Sequence, residues 1–151
     1  GMENAMEQQQ QAPIDFLVHC KQALRLEKID IANYSPLALA YIGDAVYELM
    51  IRTHVVSHGS MQVNKMHKKS ASLVKAQTQA ELIKILEPEL TPLEHAAYKR
   101  GRNAKSYTAA KNADIIDYRN ATGFEALMGY LYMQGKTKRM FELVKKGMEL
   151  L

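Results

Sequence analysis

The amino-acid sequence predicts a single all-α domain. Apolar residues recur at intervals of three and four along most of the chain, no segment alternates in the manner of a half-buried strand, and residues that favour helix ends separate the periodic segments. A length of 151 residues suits one domain with a real hydrophobic core, and no internal repeat is visible.

The first residues are predicted to lie outside this domain. Gly1 ahead of Met2 is typical of a residue left by an expression tag, and residues 1–12 form a polar, glutamine-rich segment that we expect to be disordered. We therefore assign residues 13–151 to the folded domain. Its first helix should start near Pro13, because proline is well tolerated at the first helical position.

Two long helices are predicted next. Ser35 followed by Pro36 favours a helix start, and the apolar pattern continues over residues 36–56. A second long helix is predicted over residues 62–86, ended by Pro88. Shorter helices are predicted over residues 92–100, 106–113 and 122–133, with a closing amphipathic helix over 136–151.

The charge and cysteine content narrow the functional classes. Lys and Arg outnumber Asp and Glu by 20 to 16, which suits a polyanionic partner without requiring one. The single cysteine, Cys20, excludes an intramolecular disulfide and a thiolate metal cluster, and it favours the reducing cytoplasm. No apolar run approaches the roughly 18 residues that span a bilayer, and the N-terminus lacks a targeting pattern, so we expect no membrane partner.

One acid on each of two predicted helices is flanked by apolar and small residues. In YIGDAVYELM, Asp44 follows Gly43, and in TGFEALMGYLY, Glu125 has Gly129 one turn further along. If these faces pack together, the two carboxylates meet, and at about 5 Å they repel by roughly 3 kcal/mol at an effective dielectric near 20. A hard divalent cation, Mg²⁺ above all, or a shared proton relieves that repulsion. Solvated or structurally paired acids are the alternative that spacing leaves open.

Two basic clusters indicate where a polyanion would bind. The segment YKRGRNAKSYTAAK joins basic side chains to neutral donors around Gly101, which we expect in a loop that can approach a phosphate backbone. The segment NKMHKKS forms the second cluster. A solvated basic face without a nucleic-acid partner has the same spacing. The candidate contact residues are Arg100, Arg102, Asn103, Lys105, Ser106, Lys65, His67 and Lys68.

These motifs resemble those of the ribonuclease III family. LALAYIGDAVYEL, Leu37–Leu49, resembles the signature helix of that family, and TGFEALMGYLY resembles its second acid-bearing helix. VNKMHKKS, RGRNAKS and YRNATGFEALMGYL, with no segment resembling a double-stranded-RNA-binding domain, are similar to the Mini-ribonuclease III branch. The resemblance runs from about residue 14 to the end.

The resemblance implies the ribonuclease III endonuclease-domain helical fold, working as a homodimer that cuts both strands of duplex RNA by Mg²⁺-dependent hydrolysis. Asp44 and Glu125 match the metal-binding acids of the family, whereas Ala40 and Thr122 stand where larger members carry two more. This departure leaves open whether one or two ions bind. Thr122 and Glu48 are candidates for the outer shell of the site, with an ordinary surface glutamate as the alternative for Glu48.

The resemblance also implies a substrate, precursor 23S rRNA in ribosomal particles, with a large-subunit ribosomal protein as a candidate partner. Two other functions stay open on the sequence. One is a non-catalytic RNA-binding or ribosome-assembly module on the same fold, favoured by Ala40 and Thr122. The other is a helical protein-interaction scaffold. An assay with RNA distinguishes the three functions. Metal-dependent cleavage indicates the nuclease, binding without cleavage indicates the RNA-binding module, and neither indicates the scaffold.

Overall fold

The computed structural model describes residues 16–59, 62–104 and 114–151. Within these ranges the regular secondary structure is entirely helical, which confirms the predicted class. The helices are α1 Phe16–Ala23, α2 Pro36–Ser57, α3 Val63–Val74, α4 Ala76–Leu86, α5 Pro92–Asn103, α6 Ile115–Met133 and α7 Thr137–Leu150, with 3₁₀ turns at Ile31–Asn33 and Glu87–Glu89.

Contacts divide the chain into two compact units, residues 1–33 and 34–151. In the smaller unit, the described part consists of α1, where Leu17 is buried, and the first 3₁₀ turn. The larger unit contains α2 to α7. The predicted disordered segment, the boundary at residue 13 and the predicted helix over 106–113 lie outside the described residues.

Side-chain caps fix the starts of two helices in the larger unit. The Ser35 hydroxyl accepts a hydrogen bond from the Ala38 amide at 3.0 Å, as its position before a proline predicts. At the start of α5, Thr91 and Glu94 form a reciprocal capping box, with bonds of 2.9 and 3.2 Å. These caps supply acceptors for amides that have no partner inside the helix.

The prediction of one long helix over residues 62–86 is wrong. The helix is interrupted at Lys75, whose ψ of 154° is that of extended backbone. A break would leave the last carbonyl oxygens of α3 without hydrogen-bond donors, yet side chains from α2 and α4 donate to three of them. One donor, Tyr47, is distant in sequence, so local periodicity gives no sign of the break. The bonds are Thr78 Oγ1 to Ser72 O at 2.6 Å, Tyr47 Oη to Leu73 O at 2.7 Å and Gln79 Nε2 to Val74 O at 2.8 Å.

The core of the larger unit is centred on α6, which packs against α2, α4 and α5. The Tyr47 ring of α2 meets the Phe124 ring of α6 edge to face, with centroids 5.0 Å apart, and both side chains are fully buried. Apolar side chains of α4 and α6, including Leu82 and Leu127, complete this layer. The two acid-bearing helices, α2 and α6, are therefore held together by the main core.

The predicted loop at Gly101 is also wrong, since Gly101 lies inside α5 and is buried. An added Cβ there would lie 2.5 Å from Ala126 Cβ and 3.1 Å from the Thr122 carbonyl oxygen, both on α6. Gly123 is as confined, because its added Cβ would lie 2.6 Å from the Tyr98 ring. These small residues bring the C-terminal turn of α5 against the turn of α6 that precedes the predicted acid.

A partly buried ion pair holds the closing helix in place. Arg139 of α7 donates to both carboxylate oxygens of Glu94, at 2.8 and 2.9 Å. The side-chain hydrogen bond from Arg139 is the main cause that holds the pKa of Glu94 below its ordinary value. Within the described ranges, every helix is too short or too polar to cross a bilayer.

Candidate active site

Two glycines let α2 and α6 cross in backbone contact. A Cβ added at Gly43 would overlap the carbonyl oxygen of Glu125 and lie 2.7 Å from the Gly129 nitrogen. A Cβ added at Gly129 would overlap the carbonyl oxygen of Leu39. Because neither position can accept a side chain without a helix shift, the glycines set the distance between the helices. Asp44, the residue after Gly43, and Glu125, whose carbonyl oxygen Gly43 contacts, therefore both lie at this crossing.

The carboxyl groups of Asp44 and Glu125 meet at the crossing. Burial is the largest cause that raises the pKa of Glu125 to about 8, followed by its hydrogen bond with Asp44 and by the negative charge of Asp44. A hydrogen bond between two carboxyl groups needs a proton on one of them, so in the metal-free protein Glu125 is protonated near neutral pH. Asp44 is exposed, which leaves the pair open to solvent on its side.

Gln79 of α4 is a further polar side chain at this place, and the sequence analysis missed it. It is only 3% exposed, and its amide lowers the pKa of Glu125, which is the effect of a donor on a carboxylate. Its Oε1 is buried without a hydrogen-bond partner among the described residues. The sequence does contain a signal for it. Gln79 is a polar residue on the same helix face as the apolar residues Ile83 and Leu86, which indicates a buried polar side chain.

The two outer-shell candidates have local partners. Glu48 accepts a hydrogen bond from Arg52, one turn further along α2, at 2.8 Å. Thr122 is buried, and its hydroxyl donates to the Tyr118 carbonyl oxygen in the same helix at 2.9 Å. Ala40, the other position at which the sequence analysis noted a missing acid, is buried as well.

The donor chemistry at the crossing suits a hard divalent cation. The two carboxyl groups offer oxygen ligands only, and Mg²⁺ is commonly held by one or two carboxylates together with water and phosphate oxygens. Over residues 16–59, 62–104 and 114–151, no group of three or more His, Cys, Asp or Glu side chains is placed to hold a metal ion. A cation bound here would therefore take the remaining positions from water or substrate.

The first basic cluster lies on the last turn of α5. Arg100 and Asn103 are exposed, and Arg102 is half-buried. The Arg102 guanidinium lies 5.4 Å from the centroid of the Tyr98 ring, and its Nε donates to Asn103 Oδ1 at 3.3 Å. This turn packs against α6 just before the Glu125 turn, because Gly101 lies against Thr122 and Gly123.

The second basic cluster lies on the first two turns of α3. Lys65, His67 and Lys68 are all exposed, so their side chains can reach a phosphate backbone. Lys105 and Ser106, which the sequence analysis grouped with the α5 cluster, lie outside the described residues.

Comparison with known proteins gives consistent matches. The family model for the ribonuclease III domain matches residues 37–136. Mini-ribonuclease 3 of Clostridium tetani is 50% identical over 119 residues, which cover 78% of this chain and 79% of that protein. Mini-ribonuclease 3 of Brevibacillus brevis is 49% identical over 113 residues, which cover 75% of this chain and 84% of that protein.

A crystal structure of a protein from Fusobacterium nucleatum has a similar fold. It aligns with a TM-score of 0.73 and 28% sequence identity over 81% of this chain and 98% of that one. The ribonuclease III family acts on double-stranded RNA and generally depends on divalent metal ions. Because the family model spans most of the larger unit, and Mini-ribonuclease 3 proteins match about three quarters of the chain at up to 50% identity, the chain belongs to the ribonuclease III family, in its Mini-ribonuclease 3 branch, and is an endoribonuclease.

Proposed function

We propose that this endoribonuclease hydrolyses double-stranded RNA with Mg²⁺ held by Asp44 and Glu125, and that its natural substrate is precursor 23S rRNA. The observation that carries the proposal is the meeting of the two carboxyl groups where α2 crosses α6. Catalytic and metal-binding roles therefore fall on the same two residues. The products are a 5′-phosphate and a 3′-hydroxyl, as in the family that the sequence resembles.

Ionising both Asp44 and Glu125 is unfavourable unless a cation is bound between them. Burial and the neighbouring acid disfavour the ionised form of Glu125, so a divalent cation and a proton compete for the same place. When bound, Mg²⁺ supplies positive charge to the phosphodiester and lowers the pKa of a water molecule. We propose one ion per subunit, with Glu48 and Thr122 in the outer shell.

The two basic clusters hold the RNA backbone in this proposal. Arginine and lysine supply charge to phosphate oxygens, and amide and hydroxyl groups supply neutral donors. Charged side chains in exposed positions near the scissile bond fix the register of the duplex without reading its sequence. The proposed contact residues are Arg100, Arg102, Asn103, Lys105, Ser106, Lys65, His67 and Lys68.

We also propose that the active form is a homodimer, because one face of α2 presents large apolar side chains to solvent. Tyr41 is 84% exposed, Leu49 is 63% exposed and Leu37 is 39% exposed, and positions four and eight apart lie on one helix face. A second copy of the chain would cover this stripe in a two-fold interface. Each subunit would then cut one strand of the duplex.

The modest charge of the chain supports an assembled ribonucleoprotein substrate. A formal net charge of +4 is consistent with few phosphate contacts, so affinity for naked duplex should be weak and should depend only shallowly on salt. A precursor ribosomal particle, in which a large-subunit ribosomal protein lies next to the cleavage site, adds contacts that naked RNA lacks. Such particles assemble in the cytoplasm, where we place the enzyme.

The test compares precursor 23S rRNA, naked and in ribosomal particles, with a generic RNA duplex, in Mg²⁺ or EDTA. We expect Mg²⁺-dependent cleavage that is fastest on particles, and a loss of about 10³-fold or more in Asp44→Asn and Glu125→Gln. Glu149→Gln, an exposed acid of α7, is the control and should stay active. Full activity in EDTA or in Asp44→Asn would remove the metal or that residue from the chemistry.

The dimer has a separate test in sedimentation velocity. The wild type should sediment as a dimer at micromolar concentration, and Tyr41→Arg should shift it towards monomer. The monomeric variant should nick duplex RNA in place of cutting both strands. A wild type that sediments only as a monomer would contradict the dimer and would leave the metal site untouched.

A further inference from the structure

The Tyr98 side chain of α5 is held in place by its neighbours. It is only 3% exposed, and its hydroxyl donates to Asn120 Oδ1 of α6 at 3.1 Å. One edge of its ring lies against Gly123 of α6, where an added Cβ would lie 2.6 Å from Tyr98 Cδ1. The His95 ring lies beside it, with centroids 5.9 Å apart. A ring that is buried and bonded in this way keeps one orientation, so it forms a fixed platform.

Arg102, one turn further along α5, lies over this platform. Its guanidinium carbon is 5.4 Å from the centroid of the Tyr98 ring, and its Nε donates to Asn103 Oδ1 at 3.3 Å. A guanidinium over the face of a tyrosine ring is attracted by the ring's negative face. The half-buried Arg102 side chain is therefore oriented before any ligand binds.

The charge of Arg102 has a different environment from that of other arginines in the protein. Arg52 and Arg139 form ion pairs with Glu48 and Glu94. Among the residues that the structure describes, no carboxylate forms an ion pair with Arg102. The bond from Nε uses one of the five N–H donors of a guanidinium, whose planar fork matches two oxygens of a phosphate. An oriented guanidinium without a carboxylate partner suits an anionic ligand.

We propose that Tyr98 is a positioning residue of the RNA-binding surface, whose buried ring holds the Arg102 guanidinium in the orientation that binds a phosphate of the RNA backbone. This inference rests on the proposed function, because it takes Arg102 as an RNA contact. A flexible side chain loses conformational freedom when it binds a ligand, and a side chain that is already oriented loses less. Tyr98 thus strengthens RNA binding although its own side chain is buried.

A purely structural role for Tyr98 predicts a different behaviour. Tyr98 also packs α5 against α6, so its loss would then weaken RNA binding by disturbing the whole end of α5, including the exposed Arg100. That effect would persist in a variant whose residue 102 carries no charge. If Tyr98 acts through Arg102, the effect should disappear in that variant, and a double-mutant cycle measures the difference.

The experiment measures binding of the full chain to a generic RNA duplex in EDTA by filter binding across a salt series. Tyr98→Leu should bind about fivefold more weakly than the wild type with the same salt slope, because Arg102 still neutralises its phosphate in the complex. Arg102→Met should lower the slope by about one unit. Tyr98→Leu added to Arg102→Met should change the affinity by less than about twofold.

Two control variants separate the ring from the rest of the core. Tyr98→Phe keeps the ring under Arg102 and should bind RNA within about twofold of the wild type. Tyr130→Leu removes another buried tyrosine ring, 7% exposed in α6, and should also bind RNA within about twofold of the wild type.

The outcomes distinguish this inference from the proposed function. An equal loss from Tyr98→Leu in both backgrounds, or no loss in the wild-type background, would overturn the inference and leave the proposed function standing. Wild-type affinity and slope in Arg102→Met would remove Arg102 from the RNA contacts and overturn the inference with it. A wild type that binds no duplex would overturn the proposed RNA binding as well.

A second readout uses the wild-type protein and covers the case in which Tyr98→Leu does not fold. In the free protein, ¹⁵N relaxation should show an ordered Arg102 Nε–H and a mobile Nε–H at the exposed Arg100. RNA duplex should shift the Arg102 Nε resonance along the same saturation curve as filter binding. An Arg102 Nε–H as mobile as that of Arg100 in the free protein would overturn the inference.

Discussion

Gly43 of α2 lies directly against the backbone of Glu125 in α6, so closely that any side chain at Gly43 would occupy the Glu125 carbonyl oxygen. This contact brings Asp44, the next residue, to the Glu125 carboxyl group. A glycine with no chemical role therefore decides whether the two acids can share an ion or a proton.

Gly43→Ala should damage activity and stability together. The added methyl has only backbone to push against, so α2 and α6 must separate, at a cost of about 3 kcal/mol. A shift of about 1 Å between reacting groups can lower the rate of cleavage by about 10²-fold. Urea unfolding and RNA cleavage measure the two effects.

Gly147→Ala is the matched control for that substitution. Its added Cβ would meet Leu82 Cδ2 at 2.7 Å, and this is the end of a flexible side chain that can move aside. We expect a smaller loss of stability and normal cleavage. Wild-type stability and activity in Gly43→Ala would contradict the role of the crossing.

The metal-free protein should become less stable as pH rises from about 5 to 8. Folded Glu125 keeps its proton up to its pKa of about 8, whereas the unfolded chain releases it near 4.5. The folded state then binds more protons in this window, so the free energy of unfolding falls by at most about 1.4 kcal/mol per pH unit. Urea unfolding in EDTA measures the slope. Glu125→Gln should flatten it, and an unchanged slope in that variant would assign it to another group.

Tyr47→Phe should lower stability without touching the acids. The Tyr47 hydroxyl donates to the Leu73 carbonyl oxygen at 2.7 Å, and its loss leaves that partly buried oxygen at the end of α3 without this donor, at a cost of about 1–3 kcal/mol. Ser72→Ala is the control, because the Ser72 hydroxyl donates to the Lys69 carbonyl oxygen at 2.6 Å in an exposed position, where water can replace it. Equal urea midpoints for the two variants would show that the helix-end bond is unimportant.

Arg139→Ala should cost about 3 kcal/mol in the free energy of unfolding, because it leaves the buried Glu94 carboxylate without its charged partner. Lys145→Ala, which breaks an exposed pair with Glu149 at 4.0 Å, should cost under about 0.5 kcal/mol. Thermal unfolding compares them. Similar losses in the two variants would mean that burial of Glu94 does not strengthen its pair.

The same ion pair should give the protein acid sensitivity. Arg139 lowers the pKa of Glu94 below its ordinary 4.5, so the stabilisation is complete above that value and is lost as pH falls through the folded pKa. The free energy of unfolding of Arg139→Ala should therefore fall less steeply with decreasing pH than that of the wild type. A parallel acid profile would contradict this assignment.

Arg100→Ala should weaken RNA binding and reduce its salt dependence. Each lost phosphate contact lowers the slope of log affinity against log salt by about one unit. Arg100 is exposed on the last turn of α5, which packs against α6 just before the Glu125 turn. Lys84→Ala, at an exposed position of α4, is the control. Filter binding to duplex RNA across a salt series gives both slopes, and an unchanged slope for Arg100→Ala would exclude it from the RNA contact.

The sequence by itself determined the helical class, the start of α2 at Ser35 and Pro36, and the pairing of acids with small residues on two helices. Each of these depends on residues within a few positions of one another. Helical periodicity, a cap three residues from its amide, and glycine next to an acid are local patterns, so they are visible without a fold.

Three features were decided only by the tertiary structure. They are the interruption of the long predicted helix, the packing of Gly101 against another helix, and the interaction of the Gln79 side chain with Glu125. The break at Lys75 is tolerated because the Tyr47 hydroxyl reaches the end of α3 from another helix. Gly101 is confined by α6, which comes later in the chain. The physical reason is common to all three. A buried polar or backbone group is stable only beside a complementary partner, and here some of those partners are distant in sequence.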